Sequence, residues 1–150
     1  MYNLFTTKVS YVKTMENGLQ KKVTEPYLVD ALSYAEAEAR IIELMRTWIS
    51  GEFNVADIKR AHYSEVFVNK KDETFYQVNI AFITLDEKTG YEKKAKSKML
   101  VTASDISEAL SNFKEAMKDT MSDYVITGIE ETSIVDLFPF DENFEKYGSE

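Results

Sequence analysis

Leu28-Val29-Asp30-Ala31 recurs 72 positions further along the chain as Leu100-Val101-Thr102-Ala103. At the same displacement Glu36-Ala37 meets Glu108-Ala109, and the glycine of Asn17-Gly18 meets that of Thr89-Gly90. Several matches at one spacing point to a duplicated unit, and a repeat missed at the start misreads the whole fold. The order of local signals agrees with it. Upstream of the first motif, Phe5-Thr6-Thr7-Lys8-Val9-Ser10-Tyr11 alternates apolar with polar and sets Phe5, Val9 and Tyr11 on one strand face. Asn17-Gly18 predicts a type I′ hairpin turn, since both residue types accept positive φ. The return strand, about 19 to 31, places Leu19, Val23, Tyr27, Val29 and Ala31 together. Pro26 lacks an amide donor and marks an edge or bulge. Downstream, Ser33 and Glu36 make a capping box, and Ala37, Ile41, Leu44, Met45 and Trp48 form an apolar helical stripe that Ser50-Gly51 ends. A third strand is expected from about 53 to 61, continuing past a break to Phe67.

The second motif sits in the same setting. Tyr76, Val78, Ile80 and Phe82 alternate inward, 86 to 90 turns, and 91 to 101 returns. Ser104 or Asp105 caps a helix with the stripe Ile106, Ala109, Leu110, Phe113, Ala116 and Met117, and a last strand runs from about 124 to 130 through Gly128. The expected fold is α+β: a tandem duplication of a β-β-α-β unit, about residues 4–68 and 75–135, within a single domain spanning 1–150. Hairpins with one apolar face need a cover, so antiparallel sheet, in one piece or two, should carry two amphipathic helices on one face and leave the other open. Residues 136–150 are left as an acidic, aromatic C-terminal tail.

The composition narrows the chemistry. A chain of 150 residues with 44% hydrophobic content can bury a core of its own. It contains no cysteine, which removes disulfides, thiolate nucleophiles and cysteine-based zinc sites. His62 is the single histidine, and there is no G-x-S-x-G elbow, no G-x-x-x-x-G-K and no G-x-G-x-x-G. The carboxylate pairs Glu36/Glu38, Glu130-Glu131 and Asp141-Glu142 read as a solvated helix face, a strand edge and an acidic tail. A non-enzymatic protein without cofactor or metal is expected. With no leader pattern and no apolar run near the ~20 residues a bilayer requires, the expected location is cytoplasmic, with no membrane partner.

Net charge is −8, which disfavours a polyanion partner. Half of that excess lies in residues 136–150, where Asp136, Asp141, Glu142, Glu145 and Glu150 face only Lys146. Within the body, Tyr91-Glu92-Lys93-Lys94-Ala95-Lys96-Ser97-Lys98 sets Lys94, Lys96 and Lys98 on one strand face, ~7 Å apart, close to the phosphate spacing of an extended single strand. Lys21 and Lys22 form a thinner counterpart. Tyr91, Tyr11 and Tyr76 are candidate stacking surfaces. The plainer reading of the same lysines is a solvated face or a guard against edge pairing. In the tail, Phe138, Phe140 and Phe144 alternate with acids and either dock back onto the protein or recruit a partner. That segment resembles the acidic, Pro-Phe-ended tails of bacterial single-stranded-DNA-binding proteins, although Phe140 stands ten residues before the end instead of at it.

Met1-Tyr2-Asn3-Leu4-Phe5-Thr6-Thr7-Lys8-Val9-Ser10-Tyr11, the stretch from Val23 to Ala31 and Ser33-Tyr34-Ala35-Glu36-Ala37-Glu38 together resemble an uncharacterised domain-of-unknown-function family of small proteins from gut Bacteroidetes and their phages, crAss-like phages included. The likeness spans most of the chain, and Thr24-Glu25-Pro26-Tyr27 is its most specific part. It implies a cytoplasmic protein of phage or mobile-element origin and brings no catalytic or ligand residues. The resulting expectation is a single-stranded-DNA binder linked to replication, with a replication or host protein drawn in through the tail. By architecture alone it looks like the Whirly and Pur-type binders. The competing expectation is a protein-interaction or oligomer-forming accessory phage protein, inhibitory in one version, without nucleic-acid binding. A homo-oligomer fits both.

Overall fold

Long alternating strands and two short amphipathic helices dictate the element order. Along the chain run β1 (Leu4–Thr14), β2 (Gln20–Asp30), α1 (Tyr34–Trp48), β3 (Phe53–Arg60), β4 (Glu65–Phe67), β5 (Thr74–Leu85), β6 (Glu92–Ala103), α2 (Ile106–Ala116), β7 (Tyr124–Glu131) and β8 (Asp136–Phe138). The computed structural model describes residues 3–69 and 74–140. The protein is α+β, with its strands in two four-stranded sheets ordered β3-β1-β2-β8 and β4-β6-β5-β7. Both are antiparallel except where β8 runs parallel to β2 and β4 parallel to β6. Two compact units follow: a first made of the described residues up to His62 with those from Ser133 onward, and a second, Tyr63–Thr132. No helix among the described residues is long and apolar enough to cross a membrane.

In the first unit the β1–β2 hairpin closes differently from the predicted turn. Gly18 has φ +84°, but no non-glycine residue among those described has positive φ, so Asn17 does not supply the first half of a type I′ turn. The Gly18 N–H instead donates to Met15 O at 2.9 Å and the Met15 N–H to Leu19 O at 2.8 Å. This is a longer loop that ends on a left-handed glycine. Ser33 caps α1 as predicted, its Oγ accepting from the Glu36 N–H at 3.1 Å, but Glu36 Oε1 accepts from the Leu32 N–H at 2.8 Å, one residue before the Ser33 N–H that a capping box would engage. The helix stops at Ile49, short of Ser50-Gly51, and its stripe is narrow, burying Ala37, Ile41 and Met45. Those three pack on Phe5, Val9, Tyr27, Val29 and Ala31. Trp48 is 58% exposed, not part of the core stripe.

The core of the second unit gathers Tyr76, Val78, Ile80, Met99, Val101 and Ala103, which meet Ala109, Phe113 and Met117. Asp105, not Ser104, caps α2, accepting from the Glu108 N–H at 2.8 Å. Ile106 and Ala116 fall outside the buried stripe. Gly90, at φ +77°, ends the β5–β6 loop.

The face of each sheet turned away from its helix is not open throughout. Leu4 and Leu28 on that face of the first sheet are buried, as are Phe75, Leu100 and Val66 in the second. Tyr27-Leu28-Val29 and Met99-Leu100-Val101 are unbroken apolar runs, the mark of strand covered on both sides, whereas the hairpin halves alternate. The hairpin halves are exposed there, at residues such as Val12 and Leu85, while Leu19, expected on the inward face, is also exposed. The tail boundary also shifts: Asp136–Phe138 belongs to the first sheet as β8, and 141–150, with Phe144, lies outside the described residues.

Candidate functional site

Register decides where the predicted lysines point. On β6, Lys94, Lys96 and Lys98 stand opposite Ile83, Ala81 and Asn79 of β5. Met99 and Val101, of the other parity, pack toward α2. The three lysines therefore share the face turned away from the helix, as their spacing required. Lys94 and Lys96 are exposed, and neither has an ion pair among the described residues. Lys93, of opposite parity, pairs with Asp86 at 3.6 Å. Tyr91, just ahead of β6, is 75% exposed.

Lys98 is held differently. Its ammonium sits 5.0 Å from the centroid of Tyr63, a residue the sequence did not single out. The Tyr63 hydroxyl donates to Gln77 Oε1 at 3.5 Å, and burial, with Glu130 second, raises its pKa above the ordinary tyrosine value. Glu130 Oε1 accepts from Gln77 Nε2 and Asn79 Nδ2, both at 3.4 Å. The row thus starts free at Lys94 and runs into a polar cluster at Lys98. No periodicity flags Tyr63, because it lies in the connection before β4.

Two of the proposed stacking residues do not reach this face. Tyr76 is buried in the core under α2. Tyr11 packs against the core of the first unit, and its hydroxyl donates to Glu25 Oε1 at 3.1 Å. Tyr76 is a core residue and Tyr11 a half-buried one beside the core, and the inward parity of both is the signal for it. Lys21 and Lys22 are adjacent and so point to opposite faces, Lys21 beside Lys13 and Lys22 beside Val12. They do not form a row. An open cleft of about 940 Å³ in this unit, lined by Tyr11, Glu38, Arg46, Glu52 and Phe53 among others, mixes acids with bases and offers no field of one sign.

The lysines also stand on edges. β4 flanks β6 only from Glu65 beside Met99, and the Ser64 N–H reaches Lys98 O. Among the described residues, the stretch that carries Lys94 and Lys96 has no strand on its outer side. Among the described residues Lys21 and Lys22 are placed alike, since β8 covers β2 at Tyr27–Val29.

The tail aromatics are partly accounted for within the first unit. Phe138 stacks on Tyr27 at 5.8 Å and meets the edge of Trp48 at 5.6 Å. Arg40 Nη2 donates to Pro139 O at 2.8 Å, and its guanidinium lies 5.7 Å from the Phe140 ring, which remains 51% exposed.

A two-unit α+β protein with an outward lysine row on one hairpin is the class these features define. The chain matches the model of a family described as a domain of unknown function, DUF4494, over residues 3–140, and it belongs to that family. No curated protein and no solved structure matches it.

Proposed function

We propose that this is a non-enzymatic binding protein, built by tandem duplication, whose β5–β6 hairpin holds an extended single-stranded nucleic acid along Lys94, Lys96 and Lys98. The observation that carries the reading is the outward lysine row in a chain of net charge −8, with Lys94 and Lys96 exposed and without an ion pair among the described residues. Three ammonium groups at ~7 Å repel one another unless an anion of similar repeat lies along them. Tyr91, exposed just ahead of β6, and the Tyr63 ring beside Lys98 are the stacking candidates of this reading. A cytoplasmic, phage or mobile-element setting with a replication role is part of this reading, and Phe140 is the exposed tail residue for a partner.

The duplication reading is supported by strand order and register. Tyr27-Leu28-Val29 takes its parallel partner where Met99-Leu100-Val101 takes its own. The pairing of β1 with β3 shifts register between Lys8 and Val9, and that of β5 with β7 between Asn79 and Ile80.

The test is charge reversal. Lys94→Glu, Lys96→Glu and Lys98→Glu combined should reduce binding of a labelled oligothymidylate below detection while the far-UV circular dichroism stays unchanged. Unaltered affinity in a folded variant contradicts the proposal. A second reading, a protein-interaction or oligomer-forming module, is favoured by one observation: Lys94 and Lys96 stand on an edge that no strand covers among the described residues, where lysine blocks unwanted strand pairing. Under it the reversal changes solubility or assembly and leaves no nucleic-acid affinity to lose.

A further inference from the structure

β4 and β8 carry one pattern, Glu65-Val66-Phe67 and Asp136-Leu137-Phe138: an acid, an aliphatic and a phenylalanine. Each lies parallel on the outer side of a long strand, β4 on Met99–Val101 and β8 on Tyr27–Val29. Val66 is fully buried and Leu137 nearly so. Phe67 meets Phe113 edge-on at 6.3 Å, while Phe138 sits on Tyr27 and Trp48. Connectivity crosses over, however. β4 follows β3 yet enters the sheet of β5, β6 and β7, and β8 follows β7 yet enters the sheet of β1, β2 and β3.

Resting on the duplication reading, we infer that the edges of β2 and β6 are matching sockets for an extended acid–aliphatic–phenylalanine strand, and that each half of the chain fills the socket of the other half. An open edge offers unpaired N–H and C=O groups, and an added strand satisfies them while its side chains fill pockets on alternate sides. In the first unit the pockets are defined. Leu137 takes the buried one beside Leu28, Phe138 takes the one formed by Tyr27 and Trp48, and Arg40 fixes the following carbonyl at Pro139. Exchange of this kind between two copies makes a strand-swapped dimer. Here the copies are joined, so the chain is a covalent version of one, and its halves hold together without the link.

The experiment uses the full chain with a protease site placed within residues 70–73. After cutting, the two fragments should elute together at micromolar concentration with the emission of Trp48, the sole tryptophan, unchanged. In the cut Val66→Asp/Leu137→Asp protein they should separate. Separation with both strands intact overturns the exchange, and so does persistent association with both strands disabled. A second measurement does not depend on those charged variants folding. Full-length Phe138→Ala should change Trp48 emission, and a peptide of residues 133–140 should restore it with saturable, single-site behaviour. No restoration at millimolar peptide overturns the socket. Either failure leaves the duplication reading standing, because that reading rests on strand order and register.

Discussion

Glu25 Oε1 accepts hydrogen bonds from two phenols, Tyr11 at 3.1 Å and Tyr27 at 3.2 Å. Burial first and Glu25 second hold both hydroxyls above the ordinary tyrosine range, so the folded state resists their ionisation and loses stability as pH rises above about 10. Asp136 is the more testable group. Burial raises its pKa against the lowering effect of the Leu137 N–H on its carboxylate. A folded-state pKa above the unfolded value means that the native protein holds the proton more tightly. Stability is therefore greatest below the ordinary carboxylate pKa of about 4 and declines as pH rises through the raised folded value. Asp136→Asn should melt at higher temperature than wild type at pH 7, with the gap closing as the pH approaches 4. A gap independent of pH would contradict this origin. Gly18 and Gly90 have φ of +84° and +77°, so Gly18→Ala or Gly90→Ala should cost about 1 kcal/mol in urea unfolding.

At the scale of elements, each helix touches its sheet through one buried side chain per turn, so single truncations there should be severe. Ile41→Ala and Phe113→Ala should cost about 2–5 kcal/mol, measured by urea unfolding, whereas Trp48→Ala should cost far less than a core aromatic because the ring is exposed. Ser33→Ala and Asp105→Ala should each cost about 1 kcal/mol through loss of the cap. These elements were legible because their signals are local: alternation in the strands, spacing in the helices, a side-chain acceptor just before each helix. β8 was not. Asp136-Leu137-Phe138 is too short for any periodicity, and acids around it made it read as tail. Its strand character comes from a partner more than a hundred positions away, as Asp136 opposite Tyr27 shows. The type I′ expectation at Asn17-Gly18 failed for a different reason. The dipeptide permits that turn, but the register of Thr14 with Gln20 leaves a longer loop to close.

For the whole molecule, the unbroken apolar runs at Leu28-Val29 and Leu100-Val101 were themselves evidence that one end of each sheet is covered on both sides, and they decide how much surface remains to bind anything. The lysine row survives because it occupies the hairpin half, where alternation holds. Parity alone sets Lys94, Lys96 and Lys98 on the face away from α2, and the same parity turns Tyr76 into the core and Tyr11 against it. Tyr63 was invisible, since a loop residue carries no period. A protein of net charge −8 that binds a polyanion must do so through a local row, and a local row has a characteristic salt response. Three phosphate contacts on a single strand give a log–log slope near −2, or roughly a twentyfold weakening between 50 and 200 mM salt. Fluorescence anisotropy of a labelled oligothymidylate across that range is the most direct measurement. The account predicts saturable binding with that slope. Absence of binding at the low-salt end, or an affinity indifferent to salt, would contradict it.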